Sequence, residues 1–148
     1  MKSYRAATVF LLLGLPLVLS GVARSGDLED RARAAAKVAP GQFQLFYIPS
    51  SGEIADATFI TVSKTRGPSS IAKQLSKILR SAENSSSSLA VSGPSDAKTA
   101  QVLTDAIRLL RGAKLDHVAI IFVGSKASAS DVEAQVTSTG AKFVFAEY

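Results

Sequence analysis

Every position from Val118 to Val123 is apolar. A strand that is hydrophobic on both faces must be covered on both, so this run reads as the centre of a sheet with helices above and below it. His117 to Val123 is therefore expected to be the middle strand. Around it, short runs of β-branched and aromatic residues alternate with stretches of helical spacing, which is the pattern of an α/β domain built by right-handed parallel crossovers.

Asp27 to Val38 reads as a helix with Glu29 and Asp30 near its start and Lys37 in its last turn. Its apolar face is mostly alanine, which buries little, so residues 24–41 are expected to be a loosely docked spacer ahead of an α/β domain at 42–148. Phe43 to Ile48 and Thr58 to Ser63 read as two strands of a hairpin across Pro49-Ser50-Ser51-Gly52. Gly67-Pro68-Ser69 opens a helix with Ile71, Leu75, Ile78, Leu79 and Ala82 on one face. Ser85 to Ser88 is a polar connector, and Leu89 to Val91 is a short strand. Ser95 caps a helix from Asp96 to Arg111 that stops at Gly112. Ser130-Asp131-Val132-Glu133 has the form of a capping box for a last helix ending at Gly140, and Lys142 to Glu147 closes the chain as a strand. The expected fold is a single three-layer α/β domain. Its mixed five-stranded sheet would combine an N-terminal hairpin with a parallel βαβαβ half, and helices would lie on both faces.

The N-terminus has a different character. Lys2 and Arg5 precede an uncharged segment at 6–23 whose densest part is Val9 to Leu13, the anatomy of a signal peptide. Gly21 and Ala23 suit the positions a signal peptidase reads, so cleavage is expected after Ala23, and the folded part is expected to be periplasmic or secreted. The alternative is an uncleaved membrane anchor, in which residues 6–23 make the only membrane contact. Leu19-Ser20-Gly21 opens like a bacterial lipoprotein box, but Val22 stands where the lipid-bearing thiol is required.

Composition narrows the chemistry. The 148 residues include no cysteine and one histidine, His117, which excludes disulfides, thiolate metal sites, iron–sulfur clusters and histidine clusters for zinc. No cofactor or metal is expected. Lys and Arg number 17 against 12 Asp and Glu, for a net charge of +5. Without Lys2 and Arg5 the excess is +3, and the aromatic residues sit mostly in apolar runs, so nucleic acid is an unfavoured partner.

In parallel sheets, ligands gather where strands end and helix N-termini begin. Ser92-Gly93-Pro94-Ser95 and Gly124-Ser125-Lys126 occupy two such loops. Ser92, Gly93, Ser95, Gly124, Ser125 and Lys126 are therefore the candidate binding residues for a small anionic or polyhydroxyl ligand, set against the simpler reading of helix caps and turn glycines. Gly93 to Thr99 lacks the second glycine of a phosphate-binding loop. Ser70-Ile71-Ala72-Lys73 and Ser95-Asp96-Ala97-Lys98 match S-x-x-K, but no K-T-G follows. Asp116 and His117 could pair as an oriented base, although they precede the central strand and so lie at its opposite end. Lys73, Lys77 and Arg80 form a basic stripe suited to an anionic polymer or an acidic envelope protein. These features point to an exported, non-catalytic binding or interaction domain, an accessory component of a bacterial envelope. The alternatives are a small serine-dependent hydrolase or transferase using Ser92, Ser95 or Ser125, and a carrier of a small ligand at the strand C-terminal edge.

Overall fold

The computed structural model describes residues 10–12 and 25–148. Most of the segment expected to be a signal peptide, including the expected cleavage positions Gly21 and Ala23, lies outside the described residues. The described chain runs β1 (Phe10–Leu12), α1 (Ser25–Val38), β2 (Gln44–Tyr47), α2 (Glu53–Arg66), α3 (Ser70–Ser81), β3 (Ser87–Ser92), α4 (Asp96–Leu110), β4 (Val118–Gly124), α5 (Lys126–Ser138) and β5 (Lys142–Glu147). The fold is α/β, with five helices among the described residues. Strands β2 to β5 form the body of a parallel sheet, and the three-residue β1 pairs in parallel beside β2. Cleavage after Ala23 would remove β1 and make β2 the edge.

Strand order follows chain order, so right-handed crossovers place the helices that join β2 to β5 on one face. On that face Phe46, Val91, Phe122 and Phe145 align across β2 to β5 and pack with Leu75 and Leu79 of α3, Val102, Leu103 and Ala106 of α4, and Val132 and Val136 of α5. The opposite row, Leu45, Ala90, Ile121 and Val144, packs against α1, which lies across β4 and β5. All seven residues of β4 are buried, as a doubly covered central strand requires.

Three sequence expectations need correction. Among the described residues there is no N-terminal hairpin and no antiparallel pairing: Thr58 to Ser63 lies inside α2, and every strand pair is parallel. The threonines of α2 satisfy a helix despite their β preference, because Thr58, Thr61 and Thr65 donate back to the carbonyls of Ile54, Ala57 and Thr61. The last helix starts one turn early. Ser125 is its N-cap and accepts from Ser128 N, while Ser130, the expected cap, donates to the Lys126 carbonyl from within the helix. Helix α1, read as a loose spacer, is packed on the sheet with Ala35 and Arg31 buried.

Candidate functional site

Two ends of the sheet carry polar side chains, and they differ in how those side chains are used. The sequence-predicted residues lie at the C-terminal strand ends, and intramolecular contacts occupy all of them but Lys126. Ser92 is fully buried; it accepts from Arg31 Nη1 at 3.0 Å and donates to the Val123 carbonyl at 3.1 Å. Ser95 and Ser125 are N-caps, accepting from the amides of Lys98 and Ser128. A Cβ on Gly93 would lie 2.1 Å from the Ile48 carbonyl oxygen, and one on Gly124 would lie 2.6 Å from Asp96 Oδ1. Both glycines thus permit close packing. Asp96 also accepts from the Ser125 amide at 3.0 Å, joining the two loops. Only Lys126 of the six is exposed.

Behind this edge lies a network that sequence reasoning missed. Arg31 Nε donates to both carboxylate oxygens of Asp27, at 3.0 and 2.9 Å, and Asp27 also accepts from the hydroxyls of Tyr47 at 2.9 Å and Tyr148 at 2.8 Å. The Arg31 guanidinium stacks 4.0 Å from the centroid of the Tyr148 ring. Burial pushes the Asp27 carboxyl up, but the bonds from Tyr148, Arg31 and Tyr47 and the Arg31 charge outweigh it and hold its pKa below the ordinary value. The Tyr47 hydroxyl is pushed up to about 12, by burial first and then by its bond to Asp27. This network fastens the alanine-faced α1 to the ends of β2, β3 and β5.

On the other face a polar ladder joins α2 to α4. Asp56 and Ser63, seven residues apart, meet Lys98 and Asp105, also seven apart. Lys98 Nζ lies 3.0 Å from Asp56 Oδ1 and 2.8 Å from the Pro49 carbonyl, with both charged side chains 5% exposed. It also sits 4.8 Å from the Phe59 ring centroid. Burial raises the Asp56 pKa, but the bonds from Ser50, the Ser51 amide and Lys98 bring it below the ordinary value. The basic stripe is also partly committed. Arg80 donates to the carbonyls of Leu109 and Leu110 and caps α4, leaving Lys73 and Lys77 exposed without an ion pair among the described residues.

At the N-terminal strand ends a cavity of about 560 Å³ is lined by Pro40, Gly41, Gln42, Ser86, Ser87, Ser88, Asp116, His117, Val118, Ala119 and Lys142. The side chains of Gln42, the three serines, His117 and Lys142 make no hydrogen bond or ion pair with the described residues. The strand register sets Ser88, Ala119 and Lys142 side by side on the face that α1 covers higher up. Two signals in the sequence point here: the serine run at 85–88 leads into β3, and Asp116-His117 leads into β4. Among the described residues no group of three His, Asp or Glu is placed to hold a metal ion, and no helix is long and apolar enough to cross a membrane. Comparison with protein-family models, curated proteins and solved structures finds no match to this chain.

Proposed function

We propose that the chain is an exported, non-catalytic binding domain, an accessory component of a bacterial envelope, and that it takes a neutral polyhydroxyl ligand at the N-terminal strand ends. The observation that carries this reading is the contrast between the two edges. Hydroxyls at the C-terminal edge are bonded within the protein, whereas those at the N-terminal edge line a cavity without partners among the described residues. A cavity of that size suits a small ligand oriented by a few polar groups. Parallel crossovers bring helix C-termini to this edge, and their partial negative charge disfavours an anion. Lys142 and Asp116 together leave the lining without a dominant sign, so hydroxyl recognition fits better than charge recognition. Acyl chemistry at Ser92, Ser95 or Ser125 has less to support it, because those hydroxyls serve as a buried bridge and as caps and His117 lies at the opposite edge. An anionic polymer would find Lys73 and Lys77 without an ion pair among the described residues, whereas Arg80, though exposed, is bonded to the carbonyls of Leu109 and Leu110.

Thermal-shift screening of the full chain against neutral mono- and disaccharides, with phosphate and sulfate as comparators, tests the reading. A saccharide at about 100 times its Kd should raise stability by about 2.7 kcal/mol, a shift of several degrees. Gln42→Ala with Ser87→Ala should abolish the gain while leaving the ligand-free Tm within about a degree. A shift with the anions alone, or one that persists in the double variant, would sink this assignment. Export is tested separately by fractionating cells and finding the mature N-terminus, expected near Arg24; an intact Met1 in the cytoplasmic fraction refutes it.

A further inference from the structure

Among the described residues, β5 is the longest strand with a strand on one side only, and every second of its six residues presents unpaired backbone at the outer edge. We infer that this edge pairs with the same edge of a second copy, about a two-fold axis perpendicular to the sheet, so that the two sheets become one. Such an axis keeps each face of one sheet on the same side as the corresponding face of the other. Residues opposite one another must therefore share a face, which limits the register.

With Val144 on the axis and facing its own copy, Phe143 lies opposite Phe145 of the second copy, twice, and Lys142 lies opposite Ala146. Phe143, Val144 and Phe145 are each only half-buried in one copy, so the pairing covers apolar surface that the monomer leaves open. Cross-strand aromatic pairs of this kind add to the backbone bonds. Centring on Phe145 instead would set Phe143 against Glu147 and desolvate a carboxylate on a ring.

The layers also fit. Both α1 and α5 lie across β4 and β5, one on each face. With a strand spacing of about 4.8 Å, each would sit roughly 10 Å from its symmetry mate, an ordinary distance for packed helices. The two copies of α1 run antiparallel under this axis. The exposed Glu29 and Asp30 in the first half of one helix, which Arg33 of the same helix already bridges, then lie along the second half of the other, where Lys37 is exposed and has no ion pair among the described residues. That charge pattern is complementary to itself, which selects a second copy over an unrelated strand.

Because the chain contains no cysteine, Val144→Cys introduces a single thiol on the axis. In the antiparallel pair the two Cα atoms would be about 4.5–5.5 Å apart, within disulfide range. Mild oxidation of the full-length variant should convert most of it to a covalent dimer, while Ser130→Cys on the exposed side of α5 stays largely monomeric. A Val144→Cys chain that does not cross-link, or that cross-links no faster than Ser130→Cys, overturns the inference. Charge reversal gives a second measurement. Light scattering should find Val144→Lys and Val144→Glu monomeric on their own and dimeric when mixed, since each residue faces its own counterpart; dimers of Val144→Lys alone refute the register.

Discussion

Arg31 is 5% exposed, and its guanidinium joins Asp27, Ser92 and the Tyr148 ring. Replacing it with methionine keeps much of the volume but leaves the Asp27 carboxylate without its counter-charge, bonded only to the two tyrosine hydroxyls, and the buried Ser92 hydroxyl without its donor. Urea titration of Arg31→Met at pH 7 should show a loss of about 3 kcal/mol, as for other broken buried pairs. Ser92→Ala removes one bond at each side and should cost about 1–2 kcal/mol; equal stability of both variants with wild type would show that the network does not hold α1. At Gly93 the constraint is steric. Gly93→Ala drives a methyl into the Ile48 carbonyl, and a loss of at least about 2 kcal/mol is expected by the same titration. The sequence shows some of this. Asp27 and Arg31 are visible as an i, i+4 pair, and Ser95 and Ser125 are visible as caps. The contacts from Asp27 to Tyr47 and Tyr148 span 20 and 121 residues, and no local pattern encodes them.

At the level of elements, α2 differs from every other helix of the domain. Its buried residues are Asp56 and Ser63, while Ile54 is 86% exposed and Val62 43%. Hydrophobic periodicity locates helices by their apolar buried face, so it finds α3, whose Leu75 and Leu79 point inward, and passes over α2, whose inward face is polar. That is why a β-branched run was expected to be a strand. The Asp56/Ser63 and Lys98/Asp105 spacings are helical, but they acquire meaning only once two helices are known to lie side by side. The β3 to β5 half was legible because each strand there is followed or preceded by a helix with its own cap. Helix α2 is therefore held by a buried ion pair and the Ser63–Asp105 hydrogen bond, with Phe59 its partly buried contact to the core. Lys98→Met alone should destabilise the protein by about 3–5 kcal/mol, and adding Asp56→Leu should recover at least half of that, since the paired apolar replacement leaves no buried charge. A double variant as unstable as the single would mean that the geometry of the pair, and not its charge balance, keeps α2 on α4.

Across the whole molecule, a depressed carboxylate fastens one helix on each side of the sheet: Asp27 holds α1 on one face, and Asp56 holds α2 to α4 on the other. Both are easier to ionise folded than unfolded, so their contribution is complete above the unfolded value near 4 and is lost as pH falls through the lower folded values. Tyr47 works in the opposite direction. Its folded pKa of about 12 exceeds the ordinary 10.0, so its contribution is complete below pH 10 and disappears as pH rises toward 12. Stability, read as the urea midpoint, should therefore be flat between roughly pH 5 and 9 and fall on both sides. The two limbs meet at Asp27. Tyr47→Phe should lower the plateau by about 1.5–3 kcal/mol, the worth of one hydrogen bond to a charged group, should flatten the part of the alkaline limb that Tyr148 does not supply, and should weaken the acid limb slightly, because Asp27 loses one of the donors that hold its pKa down. Asp27→Asn should flatten part of the acid limb and also weaken the alkaline one, because Tyr47 loses the acceptor that holds its proton. An alkaline limb unchanged in both variants would place its origin outside the α1 network and break the link between that network and the docking of the N-terminal layer.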